Sequence, residues 1–128
     1  MVPATNFSKY AERITEIVQQ SVFSGLAVQH ELQVDRRSPQ RGFISGSLTF
    51  KDCSELHFRE FIDMNCPEPR LKYAYHYQAQ DNSLIFRYDN AAHKPALPQP
   101  EHKHTAHGIE PSGIPTLEEV LDEILDTL

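Results

Sequence analysis

No run of apolar residues in this chain of 128 approaches the roughly 18 to 20 needed to cross a bilayer. The opening MVPATNFSKYAERITE has no basic stretch followed by an apolar one, so no export signal and no membrane partner are expected, and the cytoplasm is the expected compartment. Cysteine is scarce. Cys53 and Cys66 form no C-x-x-C pair and no zinc-type spacing, which suits free thiols in a reducing compartment. P-loop, GxSxG, HExxH and GxGxxG motifs are missing, which removes the best-marked nucleotide-binding, hydrolase and metalloprotease chemistries. Residues 116–128 lack Lys and Arg but hold Glu118, Glu119, Asp122, Glu123 and Asp126, which is -5 of the net -6. The rest of the chain is therefore close to neutral, and a locally basic surface is compatible with an acidic total.

What is present fits one α+β domain spanning residues 1–128, a length able to bury a core without staples. Ser8 can cap a helix over about 8–24, with Tyr10, Ile14, Ile17, Val18 and Ser21 on one face and Gly25 as its stop. From there the period changes to two: Leu26, Val28, His30, Leu32 and Val34 alternate with polar residues as far as Ser38-Pro39-Gln40. Further extended runs cover about 42–50, 54–64, 70–79 and 83–90. Their connections are too short for parallel crossovers, so a five-stranded antiparallel meander is expected, with both helices on one face. Residues 91–115 hold five of the nine prolines and four of the seven histidines and are expected to form a long loop. Thr116 with Glu119 forms a capping box ahead of Leu117, Val120, Leu121, Ile124, Leu125 and Leu128 at helical spacing, which places the closing helix over 116–128.

Alternation assigns the faces of the sheet. Leu56, Phe58, Ile62, Leu71, Tyr73, Tyr75, Tyr77, Leu84, Phe86 and Tyr88 form apolar rows toward the helices. The opposite parity carries His57, Arg59, Lys72, His76, Arg87 and Asp89, interrupted by Phe61 and Ile85. A plain solvated sheet face would look the same at any single position, so the cluster is more informative than its members. Glu60 falls within an apolar row. It needs a partner such as Arg87 or a tyrosine hydroxyl, or a bulge that turns it outward.

The densest chemistry is Arg87-Tyr88-Asp89-Asn90, then His93, then His102-Lys103-His104. Converging imidazoles can serve as general base and general acid near neutral pH, and Arg87 and Lys103 can stabilise charge on a phosphate. These are the parts of metal-independent RNA cleavage. The same histidines, His93, His102 and His104, with Asp89 or Asp81, could instead hold a divalent zinc or manganese ion, although H-x-H spacing is a weak signal. His107, in a proline-rich stretch, adds little to either.

At these residues the chain resembles the TumE-type toxins of prokaryotic toxin-antitoxin modules. The resemblance runs through Tyr73-Ala74-Tyr75-His76-Tyr77, through Leu84 to His93, through Pro100-Glu101-His102-Lys103-His104 and through Pro115 to Leu121, and covers most of the chain from Ser47. Glu60 also falls where that family has an acid. The family pattern often reads RYDNAPHH and PHHKH, whereas Ala92, Lys94 and Glu101 stand here in place of a proline and two histidines. Arg87, Asp89, Asn90, His93, His102 and His104 carry over. The resemblance implies a toxin neutralised by a helix-turn-helix antitoxin.

The reading is thus a toxin acting on RNA, with His76, Arg87, Asp89, His93, His102 and His104 as catalytic candidates. Arg59, Lys72, Asn90 and Lys103 are the substrate-binding candidates, and no cofactor is required. The alternatives are a non-enzymatic protein-binding module that uses the exposed sheet or the acidic last helix, and a metal-binding protein. Homodimerisation is left open.

Overall fold

The computed structural model describes residues 4–92 and 99–128. Helix α1 spans Phe7–Phe23 and is followed by strands β1 (Ala27–Arg36), β2 (Arg41–Phe50), β3 (Glu55–Asp63), β4 (Arg70–Gln78) and β5 (Leu84–Asp89). Two short strands, β6 (His102–Thr105) and β7 (Gly108–Pro111), precede helix α2 (Leu117–Thr127). All seven strands form one sheet in chain order, each antiparallel to the next. The α+β class and the antiparallel meander are as expected; the strand number is seven instead of five. Proline density had marked 91–115 as loop, but Pro100 and Pro111 bracket the extra hairpin, and Pro111 ends an edge strand, where a missing N–H is harmless.

Helix α1 is capped by Asn6, whose side chain accepts from the Lys9 N–H at 2.8 Å, so it starts slightly ahead of the expected Ser8. Phe7, Ala11, Ile14, Val18 and Ser21 recur at helical spacing and are buried against the sheet. Gly42 on β2 makes that packing possible, because a Cβ there would lie 2.2 Å from the Phe7 ring. Helix α2 carries the expected capping box. The Thr116 N–H donates to Glu119 Oε1 at 3.0 Å and the Glu119 N–H donates to Thr116 Oγ1 at 3.1 Å. Glu123 then ties α2 to the sheet by accepting from the Tyr88 hydroxyl at 2.6 Å and from Lys103 Nζ at 2.8 Å.

Both helices share one core with Ile44, Leu48, Leu56, Phe58, Ile62, Tyr75 and Tyr77. Two bulges modify the expected rows. Phe61 pairs with Lys72 and Ile62 with Arg70, so Leu71 is the extra residue and lies 42 % exposed instead of joining the apolar row. Tyr77 pairs with Phe86 and Gln78 with Leu84, which leaves Ile85 extra and lets it pack at the core margin despite its parity.

Glu60 is buried inside the core and accepts from the hydroxyls of Tyr10 and Tyr75. Arg70 extends the network by donating to the Tyr75 hydroxyl at 3.0 Å and to the Pro115 carbonyl. A tyrosine hydroxyl is thus the partner of Glu60; Arg87 points from the other face.

Candidate functional site

The face of the sheet away from the helices is organised by strand register. One row across it reads Glu31, Ser47, His57, His76, Arg87, His104, and the next reads Gln33, Ser45, Arg59, Ala74, Asp89, His102. The β6–β7 hairpin is what completes both rows. It places His104 beside Arg87 and His102 beside Asp89, residues separated by a proline-rich stretch of sequence.

Asp89 is the hub. It is 4 % exposed, and each of its oxygens meets donors. Oδ1 lies 2.8 Å from His102 Nε2 and accepts from the Ala91 N–H at 3.1 Å. Oδ2 accepts from Arg87 Nε at 2.7 Å and lies 3.6 Å from His104 Nε2. A buried carboxylate needs such compensation. His102, 2 % exposed, is fixed from its other side: Nδ1 lies 2.6 Å from the Pro100 carbonyl, which can only accept, so Nδ1 carries a proton and Nε2 is turned to Asp89. The His102 and His104 rings meet edge to face, 4.7 Å between centroids. His104 keeps about a quarter of its side chain exposed, and Arg87 slightly more, so these two are the members a substrate can reach.

His76 has its tautomer set by neighbours. Arg87 Nη1, always a donor, lies 3.3 Å from Nδ1, so Nδ1 accepts; Nε2 then carries the hydrogen and donates to Gln78 Oε1 at 3.1 Å. Burial, and after it the positive charge of Arg87 and the neighbouring His57, hold the His76 pKa below the ordinary imidazole value. It is a neutral imidazole at pH 7. In front of these groups lies an open groove of about 570 Å³ whose lining includes Ser45, Ser47, His57, Arg59, Ala74 and Arg87.

Of the expected site residues, His76, Arg87, Asp89, His102 and His104 converge, and Arg59 and Lys72 lie exposed on the same face. His93 lies outside the described residues. Asn90 is occupied: its side chain accepts from the Tyr73 N–H at 3.1 Å and donates to the Leu71 carbonyl at 3.0 Å, continuing the β4–β5 ladder. Lys103 alternates to the helix side, where it bonds Glu123 and sits 5.0 Å from the Tyr88 ring centroid. Asp81 is bound into the β4–β5 turn, its carboxylate accepting from Ser83. His107 is exposed at the hairpin tip. Gln78 escaped the sequence reading although alternation puts it on the His76 side. The Pro100 carbonyl could not be read at all, since a backbone acceptor has no signature in side-chain type.

Among the described residues, Asp89, His102 and His104 are also placed to hold a cation, each offering one ligand atom, all within 4.8 Å of one another. Imidazole nitrogen with carboxylate oxygen suits zinc or manganese, and the Pro100 carbonyl on His102 is the outer-sphere contact such ligands make. Among the described residues no helix is long and apolar enough to cross a membrane.

No curated protein and no solved structure matches this chain. The family model for the toxin TumE, however, matches residues 14–128, which takes in the polar sheet face, the hairpin that completes it and both ends of the Asp89 network. The chain therefore belongs to the TumE toxin family.

Proposed function

We propose that the protein is a toxin that cleaves RNA over the row His76, Arg87, His104. The observation that carries this reading is the order along that row: a neutral imidazole and a guanidinium that line an open groove, and a second imidazole beside a buried carboxylate on the next strand. Neighbouring strands are about 4.8 Å apart, so a phosphodiester seated on Arg87 is flanked on both sides. His76 takes the ribose 2′-hydroxyl proton through Nδ1 once Arg87 turns to the phosphate. The 2′-oxygen attacks phosphorus, Arg87 stabilises the pentacoordinate charge, and the imidazolium form of His104 gives its proton to the departing 5′-oxygen. Asp89 and His102 position His104 and Arg87. Because His76 is held below the usual imidazole range, the acid limb of the cleavage pH profile, where the base becomes protonated, should lie below about 6.5.

A second reading has its own observation, the convergence of Asp89, His102 and His104. There a divalent cation takes the place of the acid. One experiment separates the two. Purified protein is incubated with RNA in excess chelator, alongside His76→Ala, Arg87→Ala, Arg87→Lys and His104→Ala, each checked for an unchanged melting temperature. The acid-base reading expects cleavage to survive the chelator, and expects cleavage and growth arrest to fall at least a hundredfold in the alanine variants, the usual scale for removing an acid, base or charge stabiliser. Cleavage lost in chelator and restored by zinc or manganese favours the cation. Parental growth arrest in both Arg87→Ala and His104→Ala removes the site altogether.

Membership in a toxin family implies an antitoxin counterpart. We propose that it is a helix-turn-helix protein, on the strength of the resemblance; co-purification with the product of a neighbouring reading frame of that type tests it.

A further inference from the structure

Phe43 and Phe61 stand on a face that is otherwise polar. Phe43 on β2 pairs directly with Phe61 on β3, and Phe61 with Lys72 on β4. Alternation puts all three on the side away from the core, with Phe61 39 % exposed, Phe43 half-buried and Lys72 open to solvent. Arg59 follows one row inward, in register with Ser45 and Ala74. The nearby acids are already answered: Asp35 by Arg37 at 2.8 Å and Asp63 by Arg41 at 3.0 Å. Among the described residues, no ion pair reaches Arg59 or Lys72.

Two phenylalanines in register on adjacent strands, with two uncommitted cations, have the chemistry of a single-stranded nucleic acid platform. Rings take the faces of bases, and cations take the phosphates between them. Duplex RNA does not fit such a surface, because its bases are already stacked and its phosphates are read by shape. The platform is also in line with the catalytic row. From Phe61 to Arg87 is two strand spacings across and two rows along, roughly 16 Å at standard sheet dimensions. The small side chains of Ser45 and Ala74 and the groove lie between them.

We infer that Phe43 and Phe61, with Arg59 and Lys72, form a base-stacking subsite that makes single-stranded RNA the substrate class. The inference rests on the RNA-cleaving reading above. The rings also support the sheet as a cross-strand pair, so the test needs a readout that a purely structural role would leave alone.

Anisotropy of a labelled, short single-stranded RNA, fully 2′-O-methylated so that it cannot be cleaved, is measured with the full chain, with its duplex as comparator. The expected result is preference for the single strand. Phe61→Ala and Phe43→Ala should each weaken binding about fivefold or more, the scale of one lost base stack, and Phe61→Tyr should restore it, all at parental melting temperature. Equal affinity for duplex and single strand, or unchanged binding in both alanine variants, overturns the platform while leaving RNA as the ligand. Binding to neither RNA overturns the platform and the RNA reading together. If the alanine variants unfold, Lys72→Ala and Arg59→Ala at low salt make the same decision: unchanged affinity in both overturns the subsite.

Discussion

Glu60 is a carboxyl group buried at the centre of an apolar core. Its parity puts it in an apolar row, where Arg87, a tyrosine hydroxyl or an outward bulge are the sequence's candidate answers. The structure answers with the hydroxyls of Tyr10 and Tyr75. Tyr10 arrives from α1, so the carboxylate fastens helix to sheet at the centre of the core. Burial pushes the Glu60 pKa up, and the two hydroxyl hydrogen bonds oppose but do not reverse the shift. The folded state therefore holds the Glu60 proton more tightly than the unfolded chain does. Its stabilising contribution is fully present below the ordinary carboxylate value of 4.5 and is lost as pH rises through the elevated folded value. Urea unfolding from pH 4 to 8 should show this declining component in the parent and not in Glu60→Gln, whose amide can still meet both hydroxyls. Identical pH slopes in the two proteins would mean that the carboxyl is as acidic folded as unfolded. Glu60→Ala, which strands two buried hydroxyls and leaves a void, should be less stable by about 2 to 4 kcal/mol at any pH in this range.

At the level of elements, the long periodic segments were legible and the short hairpin was not. Helices α1 and α2 and strands β1 to β5 announce themselves through three or more in-phase apolar positions each, bounded by turn residues. Strand β6 offers only His102-Lys103-His104-Thr105, too few residues for alternation to outweigh the prolines around it. Yet the period-two signature is there: His102 and His104 face the polar side and Lys103 faces α2, which is also why three neighbours in sequence are divided between two faces in space. The turn has one further mark. Gly108 closes it at φ +129°, a backbone region in which side chains are strained, while the space beside it is open. Gly108→Ala should therefore cost about 1 to 3 kcal/mol through backbone strain alone, falling on the hairpin first. Hydrogen exchange at residues 102–111 should quicken, and cleavage should fall with His104 no longer held beside Arg87, while α1 exchanges as before. Unaltered exchange in the hairpin would show that the turn, and not the Asp89 network, is dispensable for placing the two histidines.

Over the whole molecule, the total charge misleads where its distribution informs. Of the net -6, the residues 116–128 carry -5, and α2 lies on the helix side of the sheet, across the core from the groove. On the polar face Glu55 lies beside His57 at 2.9 Å and Asp89 beside Arg87 at 2.7 Å, and the groove itself is lined by one acid, Glu31, against Arg59 and Arg87, so it is far less acidic than the protein. RNA bound there would meet three cations, Arg59, Lys72 and Arg87, and not Lys103, which is held to Glu123 on the other side. Releasing about one counterion per neutralised phosphate, at about 0.7 for single strands, gives a slope near -2 in log affinity against log salt. Each of Arg59→Ala and Lys72→Ala should lower the magnitude of that slope by about 0.7, and Lys103→Met should leave it alone. A slope steeper than about -4, or one that moves with Lys103, would relocate the RNA to a surface that includes the helix side, because the groove face has no further uncommitted cations among the described residues to supply the difference.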